Sequence, residues 1–235
     1  MSERHDELRE QVAASNKELA AADLVIHAFG NVSQVDRGAG VFAIKPSGIP
    51  CHQVTARDIV VVSLEDGSVV AGDLKPSSDT PTHRILYQKL MDIGGVAHTH
   101  SRYATAWAQA RLPIPCLGTT HADHFRGPVP VTRPLDEDEI RGDYEANTGH
   151  VIAELYGPEA LDPQEAPGAL VASHGPFVWA DSGSGAVGIA GAVEYMAWLA
   201  AHTIAIQPNR PAIEPALVER HFGRKHGPLA YYGQR

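Results

Sequence analysis

Cysteine, net positive charge and long hydrophobic runs are all scarce in this 235-residue chain, and each shortage narrows what the protein can be. The two cysteines, Cys51 and Cys116, sit in unrelated contexts and make neither a disulfide framework nor a thiolate metal site. Lys and Arg number 19 against 28 Asp and Glu, for a formal charge of -9 and a pI near 5.8. That balance argues against nucleic acid or an anionic membrane as partner, because either asks for a basic face. An anionic small substrate stays open, provided positive charge is local. No apolar run is read as reaching the length of a bilayer, and residues 1–10 are polar and charged, without the apolar core of a signal peptide. The expectation is a cytoplasmic protein with no membrane partner.

What is present is enough apolar content, 43% of the chain, to bury one substantial core. No composition shift divides the sequence, so a single domain over 1–235 is expected. Histidine is abundant, with 13 copies, several in chemically suggestive clusters.

Residues 5–22 space Leu8, Val12 and Leu19 at helical intervals with charge between them, which predicts an amphipathic helix. VFAIK at 41–45 and IVVVS at 59–63 are short, β-branched and bounded by turn formers, as strands are. PTHRILYQKLM at 81–91 reads as a helix with Pro81 in its first turn, and GVAHTH at 95–100 as a strand. Helices are further expected at 101–110, 136–155 and about 184–206, and a hairpin at 169–180. Strands alternate with helices, which predicts a mixed α/β layer fold.

His98 and His100 form an H-x-H pair whose two-residue period on a strand would put both imidazoles on one face. Alone, that pair is weak evidence for a metal and reads more readily as two ordinary polar histidines. His174 in SHG, at the end of another predicted strand, is a third candidate, with Gly175 allowing a sharp turn. Three imidazoles with an open position suit a catalytic zinc that polarises a carbonyl. Asp79 offers a carboxylate ligand, or equally an N-cap for the helix near Pro81.

KPSG at 45–48 and KPSSDT at 75–80 are similar turns offering Lys, Ser and backbone donors, and GNVS at 30–33 is a third loop of that kind. Hydroxyls and N–H groups converging at a turn or helix start make a seat for phosphate, although each segment alone also reads as a plain connection.

GNVSQVDR, FAIKPSG, KPSSDTPTHRILYQ, GGVAHTHSRYATAWAQA, GTTHADHF, SHGPF and the terminal RKHGPLAYYGQ together resemble the bacterial L-ribulose-5-phosphate 4-epimerase branch of the class II aldolase and epimerase superfamily. The resemblance runs from about residue 7 to residue 234. It implies a three-layer α/β/α sandwich around a mostly antiparallel mixed sheet. It implies zinc, with Mn2+ or Co2+ as substitutes, bound by His98, His100 and His174 with Asp79 as the nearby carboxylate. Ser47, Gly48, Ser77 and Ser78 would hold the phosphate of a ketopentose substrate, with Asn31 and Lys45 in the same pocket. Asp123 and Tyr232 would be the two acid/base groups. The resemblance also implies a homotetramer of fourfold symmetry, with sites between neighbours, so that Tyr232, His221 and Glu145 reach across from the adjacent subunit.

The implied reaction explains why a metal is needed. In the ketopentose the carbonyl at carbon 2 acidifies protons on carbons 1 and 3 only, so inverting carbon 4 requires breaking the bond between carbons 3 and 4. Rotation of the released aldehyde before the bond re-forms on its other face inverts the centre. A tyrosine with its ordinary pKa of about 10 is a poor base at neutral pH, so Tyr232 would need a cation nearby.

Two departures stand out: THADHF carries His124 where the branch has an aromatic, and the helix near Gly188 and Ile189 lacks polar residues common there. The nearest rival is a fuculose-phosphate-type aldolase, which resembles this chain but places a glutamate where Asp79 stands. A non-catalytic scaffold like the adducin head would not be expected to keep all three histidines.

Overall fold

The computed structural model describes residues 5–157, 159–226 and 230–231. The chain opens with helix α1 (Asp6–Ala21), whose buried side carries Leu8, Val12 and Leu19, the residues whose spacing predicted it. Seven strands follow: β1 (Asn31–Asp36), β2 (Val41–Ile44), β3 (Val60–Ser63), β4 (Val69–Ala71), β5 (Gly95–His98), β6 (Gly168–Leu170) and β7 (Pro176–Ala180). They make one sheet in the order β4-β3-β2-β1-β5-β7-β6, with every neighbouring pair antiparallel. The remaining helices are α2 (Thr80–Lys89), α3 (Arg102–Ala110), α4 (Thr119–Ala122), α5 (Glu137–Arg141), α6 (Tyr144–Ala153), α7 (Gly183–Ile206) and α8 (Pro215–Lys225).

The alternation of side chains along β1 assigns the layers. Val32 faces α1 and α7: its side chain lies against Gly183, and its backbone exchanges hydrogen bonds with the Asn16 side chain at 2.9 and 3.0 Å. Ser33 faces the other way, its hydroxyl 2.7 Å from His83 Nδ1 and 2.7 Å from the Tyr87 hydroxyl, both on α2. Helix α6 packs on α2. The result is a three-layer α/β/α arrangement, as expected.

Three local expectations need correction. β1 begins inside GNVS, which had been read as a loop. The segment 136–155 is not one helix: Gly142 and Asp143 separate α5 from α6, and Asp143 caps α6 through its carboxylate, which accepts from Ala146 N. Helix α7 forms where a long helix was expected, but against the expectation that no apolar run reaches bilayer length it is, by length and composition alone, long and apolar enough to cross one. Its buried face, including Ala186, Ala190, Val193 and Ala197, packs on β5, β7, α1 and α3. Glu194 on α7 accepts from the backbone N–H groups of Tyr103 and Ala104, closing the start of α3 at 2.9 to 3.1 Å.

Candidate functional site

Antiparallel order brings the starts of β1 and β7 to the same sheet edge as the ends of β2 and β5, and the chemistry collects there. A cavity of about 470 Å³ at that edge is lined by Asn31, Lys45, Ser47, Gly48, Ser77, Ser78, Asp79, His98, His100, Tyr144, Glu145 and His174, together with Ala28, Phe29 and Gly30.

His98 is the last residue of β5 and pairs with Phe177 of β7. That register sets its Nδ1 3.0 Å from the Pro176 carbonyl, which can only accept, so the proton sits on Nδ1 and the lone pair on Nε2. The Phe177 ring stacks on it with centroids 4.0 Å apart. His100 lies beyond the strand, not on it, because β5 stops at His98; the loop nevertheless returns its Nε2 to 3.1 Å from His98 Nε2. His174 arrives on the β6–β7 turn. Ser173, with φ of 66°, takes the left-handed conformation there, while Gly175 is needed for space: a Cβ would fall 2.7 Å from the Thr99 carbonyl. The glycine therefore serves close approach, not the turn angle first assigned to it.

The candidate ligand atoms of His98, His100 and His174 lie within 4.8 Å of one another. Two nitrogens about 2.0–2.1 Å from a tetrahedral zinc are separated by about 3.3 Å, so the 3.1 Å between the Nε2 atoms of His98 and His100 fits a shared cation. Burial, and then the neighbouring imidazole of His98, pushes His100 down to about 4; burial, His98 and His100 push His174 down to about 3. Both rings are neutral at pH 7 and free to coordinate.

Asp79 occupies the N-cap position of α2 without capping it, since its side chain accepts no bond from the helix N–H groups. Instead its Oδ2 accepts from Asn31 Nδ2 at 2.6 Å, and the carboxylate faces the cavity, outside the three-histidine group. Burial pushes the Asp79 carboxyl up, but His98, His83, the Asn31 amide and His174 together hold it below the usual carboxylate value. The Asn31 Oδ1 and the buried His83 Nε2 have no hydrogen-bond partner among the described residues.

The twin turns meet face to face. Ser47 N donates to the Lys75 carbonyl and Ser77 N to the Lys45 carbonyl, each at 3.0 Å, around a Pro46–Pro76 bridge. Gly48, with φ of 77°, supplies the left-handed turn that ends KPSG. Lys45 is 2% exposed; its ammonium donates to the carbonyls of Ile49 at 2.7 Å, Pro46 at 3.2 Å and Ala28 at 3.4 Å, and burial lowers its pKa. It ties together the loops that frame the cavity. The N-terminus of α2 adds its partial positive charge beside Ser77 and Ser78.

Glu145, expected to come from a neighbouring subunit, lines this cavity from its own chain, on the first turn of α6. Asp123 and His221 do not line it. They meet each other elsewhere, at the end of α4 and on α8, with His221 Nδ1 3.0 Å from Asp123 Oδ1. Arg224 grips both carboxylate oxygens, Nε to Oδ1 at 3.0 Å and Nη2 to Oδ2 at 2.7 Å, and Lys225 stands 3.6 Å away. Partial burial raises the Asp123 carboxyl, and Arg224, His221 and Lys225 outweigh it, so the pKa is lowered. Tyr232 lies outside the described residues. Tyr144 was missed: its place in the cavity depends on the break before α6, which helical periodicity across 136–155 conceals.

Residues 10–201 match the family model described as the class II aldolase and adducin N-terminal domain. The L-ribulose-5-phosphate 4-epimerase UlaF of Salmonella typhi is 48% identical over 228 residues, covering 97% of this chain and 99% of that protein. The UlaF protein of Salmonella paratyphi C (strain RKS4594) is similar to the same extent, 48% over 228 residues, 97% of this chain and 99% of its own. Among solved structures, an L-fuculose 1-phosphate aldolase superposes with a TM-score of 0.77 at 26% identity, over 95% of this chain and 97% of that one. The L-fuculose 1-phosphate aldolase from Glaciozyma antarctica PI12 shares the fold with a TM-score of 0.75 at 17% identity, over 97% of this chain and 84% of that one.

Proposed function

This chain belongs to the class II aldolase and adducin family, and from that premise we propose that it is an L-ribulose-5-phosphate 4-epimerase working in the cytoplasm as a single-domain subunit of a homotetramer. It interconverts L-ribulose 5-phosphate and D-xylulose 5-phosphate by breaking the bond between carbons 3 and 4, rotating the aldehyde fragment and re-forming the bond on its other face. The observation that carries the reading is that three converging imidazoles and the paired KPS turns share one cavity, in a chain alike over its full length to an epimerase.

His98, His100 and His174 hold a divalent cation, zinc in this reading, with Asp79 as the nearby carboxylate. When bound, the cation supplies a Lewis acid that polarises the ketone and stabilises negative charge on oxygen. Ser47, Gly48, Ser77, Ser78 and the start of α2 bind the phosphate and so place carbons 3 and 4 against the imidazole cluster. Asn31 Oδ1, without a partner among the described residues, accepts from a substrate hydroxyl, and Lys45 holds the surrounding loops. Glu145 faces the substrate from α6.

Asp123 and Tyr232 are the acid/base pair, one taking the proton from the hydroxyl on carbon 4 and the other returning it after rotation. Asp123 and His221 stand away from their own chain's cavity, which supports their serving the cavity of a neighbouring subunit. Mixing two inactive variants, His98→Ala and Asp123→Asn, after subunit exchange should then restore turnover; a mixture as inactive as its components would sink the shared-site assignment.

The deciding experiment is to supply metal-reconstituted protein with L-ribulose 5-phosphate and follow D-xylulose 5-phosphate. Free glycolaldehyde phosphate accumulating in its place would favour an aldolase, the activity named for the solved structural neighbour.

A further inference from the structure

We propose that Tyr144 is a positioning residue for the metal centre: its hydroxyl oxygen accepts from His174 Nδ1–H and so keeps Nε2 of that imidazole directed at His98 and His100. The inference rests on the metal site of the preceding reading and adds a residue that no sequence feature flagged.

The three imidazoles are not equally supported. His98 ends a buried strand, donates Nδ1–H to the Pro176 carbonyl at 3.0 Å and is stacked by Phe177. His174 sits on a turn, next to Ser173 in a left-handed conformation, and meets Phe177 only edge-on, with ring centroids 6.0 Å apart. The group that faces its Nδ1 is the Tyr144 hydroxyl, at 3.3 Å, with the two rings 29° from parallel and their centroids 6.3 Å apart. A neutral imidazole that coordinates through Nε2 carries its proton on Nδ1, so the phenol oxygen is the acceptor.

Tyr144 is itself firmly placed. It opens α6, where the Asp143 carboxylate accepts from Ala146 N at 3.4 Å and Thr148 Oγ1 donates to the Tyr144 carbonyl at 2.8 Å. Thr82 Oγ1 of α2 donates to the neighbouring Glu145 carbonyl at 2.6 Å. The α2–α6 pair thus brings Asp79 at the start of one helix and Tyr144 at the start of the other into the cavity that holds the imidazole cluster. Partners of this kind set ring orientation and tautomer, and removing one weakens metal binding by about 10- to 100-fold. At 3.3 Å, slightly longer than an ordinary N–H···O bond, an effect of about 10-fold is expected.

The test compares full-length wild type with Tyr144→Phe, which keeps the ring and removes the hydroxyl. Each protein is stripped of metal and titrated with Co2+ against a chromophoric chelator, and the visible spectrum of the Co2+ form is recorded. The expected result is Co2+ binding about 10-fold weaker in the variant, with altered ligand-field bands, and an unchanged melting temperature of the stripped protein. Equal affinity and superimposable spectra would overturn the role of Tyr144 while leaving the metal site standing. A loss of affinity matched by a lower melting temperature of the stripped variant would also overturn it, as a folding effect. Wild type that binds no Co2+ would remove the metal reading itself, and this inference with it.

Discussion

The cavity at the sheet edge and the cluster joining α4 to α8 are both rich in histidine and carboxylate, yet their internal connections are opposite. In the cavity, His100 and His174 are held neutral, Asn31 Oδ1 lacks a partner among the described residues, and the Asp79 carboxylate accepts from the Asn31 amide. In the second cluster Asp123 is gripped by an arginine fork, an imidazole and an ammonium, so that charge is compensated on the spot. The difference teaches where a ligand is needed. A cavity whose donors face one another without satisfaction gains most from an added cation or anion, whereas a saturated cluster gains most by presenting a finished carboxylate to something outside it.

Removing an imidazole should have the largest effect. His98→Ala is expected to lose bound metal and, with it, about a thousand-fold or more of turnover, the scale of a lost electrostatic stabiliser; metal analysis beside a coupled assay checks both, and full metal content in this variant would break the contrast. Next comes Asp123→Asn, which should retain its metal while turnover falls by about 10²- to 10⁴-fold, as for a missing acid/base group. If that variant instead loses metal, the two regions are one site. Ser47→Ala, which touches only the phosphate seat, should raise KM for the sugar phosphate by about 10-fold with kcat little changed, the weight of one hydrogen bond to a charged group. A matching fall in kcat would mean that the seat also aligns the reacting carbons.

The smallest effect is one of pH. His100 and His174 titrate at about 4 and about 3 in the folded chain but near 6.5 when unfolded. Between those values the unfolded state binds more protons, so stability of the metal-free protein is fully present above about 6.5 and declines as pH falls toward 4 and 3. The melting temperature of stripped protein should therefore drop across that window, and His174→Ala should flatten the drop. Asp123, lowered below its ordinary value, acts further down, its contribution being lost as the carboxylate protonates.

Much of this was legible in the sequence, and the failures are as instructive. Helix α1 advertises itself because its buried Leu8, Val12 and Leu19 recur at helical intervals, and strands β2 and β3 because they are short apolar runs buried almost throughout. β1 does not, although it lies at the centre of the sheet. Its Asn31, Ser33 and Gln34 are polar, and what makes them acceptable inside is supplied from afar: Ser77 and Asp79 for Asn31, His83 and Tyr87 for Ser33, Gln11 and Gly183 for Gln34. No local window contains those partners. The histidines and the KPS turns could be singled out because the chemistry of their side chains is distinctive at any position. Tyr144 could not, since a tyrosine in a helical stretch is ordinary until its ring is seen beside His174. That Glu145 lines the cavity of its own chain and Asp123 does not depends on which loops share a sheet edge, and no local window contains that information.

The reciprocal hydrogen bonds between the KPSG and KPSS turns have a thermodynamic consequence. Because Ser47 N and Ser77 N are each tied to the other turn's lysine carbonyl, the freedom of both loops is lost when the chain folds, not when a ligand lands. An arriving phosphate orders almost nothing, and its contacts register nearly undiminished as affinity.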